Sequence, residues 1–212
     1  MASVVSGQWS VVRGGALGGD VSLSTVHCPL TTDHLSRVRL LALDVDGTLT
    51  AGAVTFTDDG RELKTFNIHD GLGIVMASLV GLRIAWITGR TSAMVERRAR
   101  ELGVPHLLQG VRDKSRALTE LAAQLGVAPD AVAYMGDDWN DLPAFAVAGV
   151  CLAPANADTE LLEAAHYVTR RNGGQGAVRD AITAILQARG EYGIAKTLYL
   201  TSLSAPAKNV GQ

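Results

Sequence analysis

From Val38 onward, short apolar runs alternate with longer stretches that read as helices. The runs are VRLLAL (38–43), LRIAWI (82–87), HLLQ (106–109), AVAYM (131–135) and GVCLA (149–153); the stretches are 71–80, 91–102, 114–125, 139–148, 158–166 and 176–189. Strands alternating with helices of this length predict an α/β fold: a doubly wound, Rossmann-like parallel sheet with helices on both faces. In such sheets ligands bind outside the carboxyl ends of the strands. One segment breaks the alternation. AVTFTDDGRELKTFNIHDG (53–71) reads as two β segments around Asp-Asp-Gly, a hairpin signal. The hairpin, 53–67, directly follows the first strand's loop and is expected to project over it as a flap, with no large cap domain. Residues 1–36, rich in Gly, Ser and Val and without sustained period, read as a loosely ordered extension to a domain spanning 37–190. The tail 191–212 is apolar enough to dock but has no clear period.

Composition narrows the function classes. The chain has 212 residues, 47% of them hydrophobic, which suits one domain with its own core. A net charge of -2 supplies no basic stripe for nucleic acid or anionic lipid. No apolar run approaches the ~18–20 residues of a membrane helix, and no charged region followed by an apolar one marks a secretory signal. Cys28 and Cys151, far apart, form neither a zinc motif nor a disulfide framework, so a cytoplasmic protein is expected. His27 beside Cys28 has no further ligands nearby and reads as ordinary. GGALGG (14–19) lacks nucleotide-binding spacing, and no GxxxxGK[ST] occurs.

The chemistry lies at the strand ends. In DVDGT, Asp44 and Asp46 sit two apart on an extended segment and so address the same site. After the next strand, ITGR offers the Thr88 hydroxyl and the unhindered Gly89 amide to an anion. Lys114 opens a helix, where it opposes the helix dipole unless an anion is near. GDDWND (136–141) brings Asp137, Asp138 and Asp141. Carboxylates so close repel, and a hard divalent cation relieves them. Mg²⁺ prefers a few carboxylates, waters and phosphate oxygens. Each motif alone is weak; the four in this order, each after an apolar strand, form a joint signal.

These motifs resemble the haloacid dehalogenase superfamily of aspartate-nucleophile phosphatases over about residues 37–190. Within it, the hairpin, FNIHDGLGI (66–74), ITGR, YMGDDWNDLP (134–143) and YVTRRNGGQGAVRD (167–180) are similar to the capless branch of 3-deoxy-D-manno-octulosonate (KDO) 8-phosphate phosphatases. The resemblance implies that Asp44 attacks phosphorus and that Asp46 protonates the leaving group and then activates water. It implies Mg²⁺ held by Asp44, the Asp46 carbonyl and Asp137, with Asp141 supporting the metal through water. Thr88, Gly89 and Lys114 would bind phosphoryl oxygens, and Asp138 would orient Lys114. It also implies a small sugar-phosphate substrate, KDO 8-phosphate or the phosphate of a related nine-carbon sugar acid, and a homotetramer built through the hairpin flap. Arg90 is expected at the substrate's carboxylate. Lys64 and Asp70 would face a neighbour's site or a solvated surface, and Gly173, Gly174 and Gly176 either a loop over substrate or a helix-entry turn. The VERRARE run (95–101) reads as a solvated helix face, and His69 and His106 as ordinary positions. Many relatives carry an acid where this chain has Ala51, and an arginine where it has Gln175; these departures bear on the sugar acid, not on the phosphate chemistry. Two other readings compete with this one. A phospho-accepting receiver lacks an aspartate two residues after its nucleophile and places its acidic pair early. A non-catalytic oligomerisation scaffold does not need the full set of acids and Lys114.

Overall fold

The structure, a computed structural model, describes residues 32–204. The expectations for 1–31, including the His27–Cys28 pair, and for 205–212 lie outside the described residues. The main sheet has six parallel strands: β1 (Leu40–Leu43), β4 (Arg83–Ile87), β5 (His106–Leu108), β6 (Val132–Met135), β7 (Val150–Ala153) and β8 (Tyr167–Val168). A separate antiparallel pair, β2 (Thr55–Phe56) and β3 (Glu62–Leu63), forms the hairpin. The helices are α1 (Thr32–Arg37), α2 (Ile68–Leu79), α3 (Ala93–Glu101), α4 (Lys114–Gln124), α5 (Leu142–Phe145), α6 (Thr159–Ala164), α7 (Ala177–Ala188) and α8 (Tyr192–Ser204).

The expected doubly wound sheet is present. Its spatial order is β5-β4-β1-β6-β7-β8, so the chain winds one way from β1 through β4 and β5, then restarts on the other side of β1 at β6. The reversal between β1 and β6 is the switch point, where a crevice opens at the carboxyl ends of the strands. β1, β6 and β7 are buried along their whole length, because helices cover both faces and continuous apolar runs are then required. Alternate side chains feed two cores. Leu41, Leu43, Ile84 and Trp86 face the α2–α7 side; Leu40, Ala42, Ala85 and Ile87 face the α4–α6 side.

Some boundaries differ from expectation. α1 begins at Thr32, inside the stretch expected as extension, because Leu35 and Val38 bury themselves and Arg189 Nη1 donates to the Val38 carbonyl at 2.9 Å. The tail carries α8, which buries Ala195 in the α2–α7 core and leaves Ile194, Leu198, Leu200 and Leu203 exposed. With apolar residues on more than one side, it has no clear period to read. Residues 139–148 form not one helix but a 3₁₀ turn, Trp139–Asp141, followed by the short α5. The hairpin is present but short, two residues to a strand, closed around Gly60 with Thr57 N bonding to the Arg61 carbonyl.

Candidate active site

The site grows from the switch point. β1 ends at Leu43, and the Asp44 amide still donates to the Met135 carbonyl of β6 at 2.9 Å. The ladder therefore fixes the backbone of Asp44 before the chain turns away. Gly47 makes that turn with φ +108°, and a Cβ there would lie 1.9 Å from Asp137 Oδ2. Only glycine lets the loop after β1 approach the loop after β6 so closely. Thr48 Oγ1 donates to Asp137 Oδ1 at 2.9 Å and ties the two loops together.

Lys114 lies beneath them. Its ammonium donates to Asp44 Oδ1 and Asp141 Oδ1, each at 2.6 Å, with side-chain exposures of 1% for the lysine, 4% for Asp44 and 0% for Asp141. It is the first residue of α4, whose N-cap Asp113 accepts from the Arg116 amide. That cap turns Lys114 inward, away from solvent. Asp141 also accepts from Tyr134 Oη at 2.7 Å and from the amides of Asp137 and Asp138 at 3.0 and 3.3 Å. A carboxylate has about four acceptor positions, and these four bonds fill them. Asp141 is thus the residue that orients Lys114, a role expected of Asp138. Asp138 instead accepts from the Trp139 amide and caps the 3₁₀ turn. The turn brings residue i+3 back beneath its own start, which places Asp141 under the strand end and Asp138 outside.

Asp44, Asp137 and Asp141 present carboxylate oxygens all within 4.8 Å of one another. Burial, then the Asp141 charge, push the Asp44 carboxyl up to about 8 despite Lys114 beside it. Burial likewise raises Asp137 to about 7, with the Thr48 hydrogen bond opposing. Burial pulls Lys114 down, but the two carboxylates outweigh it and hold the ammonium above its ordinary range. One lysine does not satisfy three acids, and the residual repulsion appears as held protons. All the donors are hard carboxylate oxygens, the ligand type of Mg²⁺. Because Asp141 is saturated, Asp44 and Asp137 are the side chains left to ligate a cation. Among the described residues, Oδ2 of each accepts no hydrogen bond.

Asp46 faces the other way, towards β4. Thr88 Oγ1 donates to Asp46 Oδ2 at 3.4 Å, and Lys64 of the hairpin forms an ion pair with Asp46 Oδ1. Thr88 is buried, its amide donating to the Leu108 carbonyl at 3.0 Å and its carbonyl accepting from the Val111 amide, also at 3.0 Å. Gly89 lies beside the Val111 carbonyl. Lys64 therefore reaches its own chain's Asp46 rather than a neighbour's site or solvent. Its side chain is 2% exposed, with Glu62 3.6 Å away, and Arg90 Nη2 donates to the same Glu62 oxygen at 2.8 Å. Asp70 departs furthest from expectation. It is buried at the start of α2 and accepts from the amides of Gly176 and Arg179 at 3.2 and 2.7 Å. It caps α7. Burial raises its carboxyl, with those amides opposing.

Asp70 also anchors the glycine-rich loop. Gly173 lies on the catalytic loop, where a Cβ would sit 1.6 Å from the Gly47 carbonyl oxygen; the Gly174 amide donates to the Thr48 carbonyl at 3.0 Å. The loop braces the chain after Asp44. The VERRARE helix is half solvated as expected, but Arg98 turns inward against Gly71. Sequence reasoning missed Tyr134, Thr48 and Glu62. Tyr134 carried a usable signal: a hydroxyl in a wholly buried strand needs a partner, and GDD follows it two residues on.

The family model described as haloacid dehalogenase-like hydrolase matches residues 106–182. The chain is 42% identical over 178 residues to the 3-deoxy-D-manno-octulosonate 8-phosphate phosphatase KdsC of Escherichia coli K12, covering 82% of this chain and 95% of that protein. Its structure is similar to that phosphatase from Moraxella catarrhalis in complex with a magnesium ion, a phosphate ion and a KDO molecule. The TM-score is 0.77 at 38% identity, over 79% of this chain and 97% of the other. It is also similar to the cobalt-bound Haemophilus influenzae phosphatase, with a TM-score of 0.75 at 36% identity, over 79% and 99%.

Proposed function

We propose, from the premise that this chain belongs to the haloacid dehalogenase-like hydrolases and within them to the 3-deoxy-D-manno-octulosonate 8-phosphate phosphatase family, that it hydrolyses that sugar acid phosphate to KDO and phosphate. The observation that carries the reading is the buried Lys114 shared between Asp44 and Asp141 at the switch point, with Asp137 alongside. A scaffold has no need of this cluster, and a receiver, which uses a similar set of acids and a lysine, lacks the second aspartate that Asp46 supplies.

Asp44 is the nucleophile. Its backbone is fixed by β6, and its carboxylate is held by Lys114 on one oxygen with the other left free. Attack on phosphorus makes an aspartyl phosphate and splits one difficult hydrolysis into two displacements. Asp46, two residues on and outside the cation cluster, delivers a proton to the leaving alkoxide and takes one from the attacking water. Thr88, the Gly89 amide and Lys114 hold the phosphoryl oxygens, and phosphoryl transfer depends mainly on such positioning and charge neutralisation. Asp44, Asp137 and the Asp46 carbonyl would hold Mg²⁺, which would supply positive charge to the phosphoryl group. Asp141 acts through Lys114, by orientation. Arg90, at the flap, is placed to take the substrate's carboxylate.

The same reading covers assembly and setting. Val54, Phe56, Leu63 and Ile68 are exposed on or beside the hairpin, which supports a homotetramer packed through the flaps. Among the described residues, no helix is long and apolar enough to cross a membrane. The wide separation of the two cysteines in the sequence supports a cytoplasmic setting. The test is phosphate release from a panel of sugar phosphates with Mg²⁺ and then with chelator. Activity should require the metal and favour the eight-carbon sugar acid. Asp44→Asn should abolish turnover, and wild-type turnover by that variant would sink the assignment.

A further inference from the structure

The hairpin and the TGR loop share a closed set of charges that the reaction does not explain. Two cations, Lys64 and Arg90, meet two carboxylates, Glu62 and Asp46. Lys64 is paired to Asp46 and stands 3.6 Å from Glu62 Oε1; Arg90 Nη2 donates to that same oxygen at 2.8 Å. The Lys64 side chain is 2% exposed and that of Glu62 17%, whereas Arg90 is about half exposed. The set is neutral and has no spare cation. A phosphate ester with a carboxylate tail adds one more anion here, next to a carboxylate that already engages Arg90 Nη2 and stands 3.6 Å from the Lys64 ammonium. That anion competes with a resident carboxylate for the two cations.

Asp46 is held on a second side by Thr88 at 3.4 Å and belongs to the backbone of the β1 loop. Glu62 sits on the two-residue strand β3, whose only ladder partner is the equally short, exposed β2. It is the resident anion that can move at least cost.

We propose that Glu62 is a displaceable stand-in for the substrate's carboxylate: it latches the flap to Arg90 and Lys64 in the free enzyme and is expelled when a carboxylate-bearing phosphate ester binds. The latch acts by exchange: Glu62 competes with the incoming carboxylate for Arg90 and Lys64 and so lowers affinity for the carboxylated ester. An ester with a neutral tail cannot displace Glu62 and leaves Lys64 and Arg90 engaged within the protein. A carboxylated ester replaces one ion pair with another and frees the flap to reorganise. This rests on the proposed phosphatase reading, and it adds a carboxylate-exchange element on the side of the pocket away from the phosphate.

The test uses the full chain with Mg²⁺ and two esters, 3-deoxy-D-manno-octulosonate 8-phosphate and arabinose 5-phosphate, the second lacking a carboxylate. Glu62→Gln keeps the shape and removes the charge. The ratio of kcat/KM for the carboxylated ester over the neutral one should rise about fivefold, through a lower KM, as expected for one partly screened ion pair. Calorimetry with the free sugar acid should show tighter binding by the same factor. Arg90→Met should raise KM for the carboxylated ester and abolish the gain from Glu62→Gln in the double variant. An unchanged ratio, or a KM for the carboxylated ester that rises in Glu62→Gln, would overturn the latch and leave Glu62 a brace of the flap. If the wild type releases phosphate from neither ester, the phosphatase reading falls. The latch is then decided by calorimetry alone: tighter sugar-acid binding by Glu62→Gln upholds it and unchanged binding overturns it.

Discussion

Magnesium binding should expel protons from this site in numbers set by pH. In the metal-free protein Asp44 holds its proton to about pH 8 and Asp137 to about pH 7, both through burial and crowding by Asp141. Near pH 6 both carboxyls are protonated, so a cation that takes both must release about two protons. Between about pH 7 and 8 Asp137 is already ionised and the count falls to about one; near pH 9 it approaches zero. The logarithm of the apparent affinity should therefore climb with pH, with a slope near two at the acid end and near zero at the alkaline end. Stability follows the same linkage with opposite sign. Both groups sit above their unfolded value of 3.8, so the folded chain binds more protons than the unfolded chain across the window between. Their contribution to metal-free stability falls as pH rises from about 4 to about 8, then levels off. Added Mg²⁺ should raise Tm more near pH 8 than near pH 6. Calorimetry in two buffers of different ionisation heat counts the protons, and melts with Mg²⁺ or chelator read the stability. Equal affinity at pH 6 and pH 9, with no proton release at either, would refute the assignment of Asp44 and Asp137 as the ligands.

Lys114→Met removes the only ammonium between two carboxylates almost wholly buried. It should cost about 3–5 kcal/mol in the metal-free protein, measured by urea unfolding, and phosphate release should be lost even at saturating Mg²⁺. Gly173→Ala places a methyl 1.6 Å from the Gly47 carbonyl oxygen. The loop must shift, so about 1–3 kcal/mol of stability should go, with Mg²⁺ affinity falling in calorimetry as Gly47 and Asp137 separate. Phe56→Ser on the exposed hairpin should move sedimentation towards smaller species if the flaps join copies, and a species unchanged in size would contradict that assembly.

The sheet was legible because its strands are buried on both faces and read as unbroken apolar runs such as LLAL and VAYM. The helices were legible through their length. Candidate chemistry was legible for the opposite reason: Asp44, Asp46 and Asp137 are charged residues at the ends of apolar runs. What stayed hidden depends on contacts between distant parts of the chain. Asp70 meets the α7 amides across more than a hundred residues, and nothing near FNIHDG marks it as a cap. Lys64 meets Asp46 because the flap folds back over its own loop, whereas an isolated hairpin pattern equally well suits an outward reach to a neighbour. Asp141 rather than Asp138 orients Lys114 because a 3₁₀ turn, not an α-helix, follows β6, and the local composition does not distinguish the two. β8 and α8 were missed for lack of length or period.

The charges divide into two self-contained sets, and that division explains why the two aspartates of DVDGT behave differently. On the β6 side three carboxylates face one ammonium, an excess of two negative charges. The protein alone can relieve it only by keeping protons on Asp44 and Asp137. A divalent cation cancels the same excess and restores the carboxylate that a nucleophile requires. On the β4 side Asp46 is already matched by Lys64 and Thr88 and has no call on the cation through its side chain. The backbone between them turns at Gly47, pinned by Asp137 on one side and Gly173 on the other. On the proposed reading, Asp44 as nucleophile is thereby committed to the metal set, while Asp46 as proton carrier, two residues away, is committed to the flap set. The substrate recognition proposed for Glu62, Lys64 and Arg90 would then act on the neighbours of Asp46, without disturbing the charge balance around Asp44.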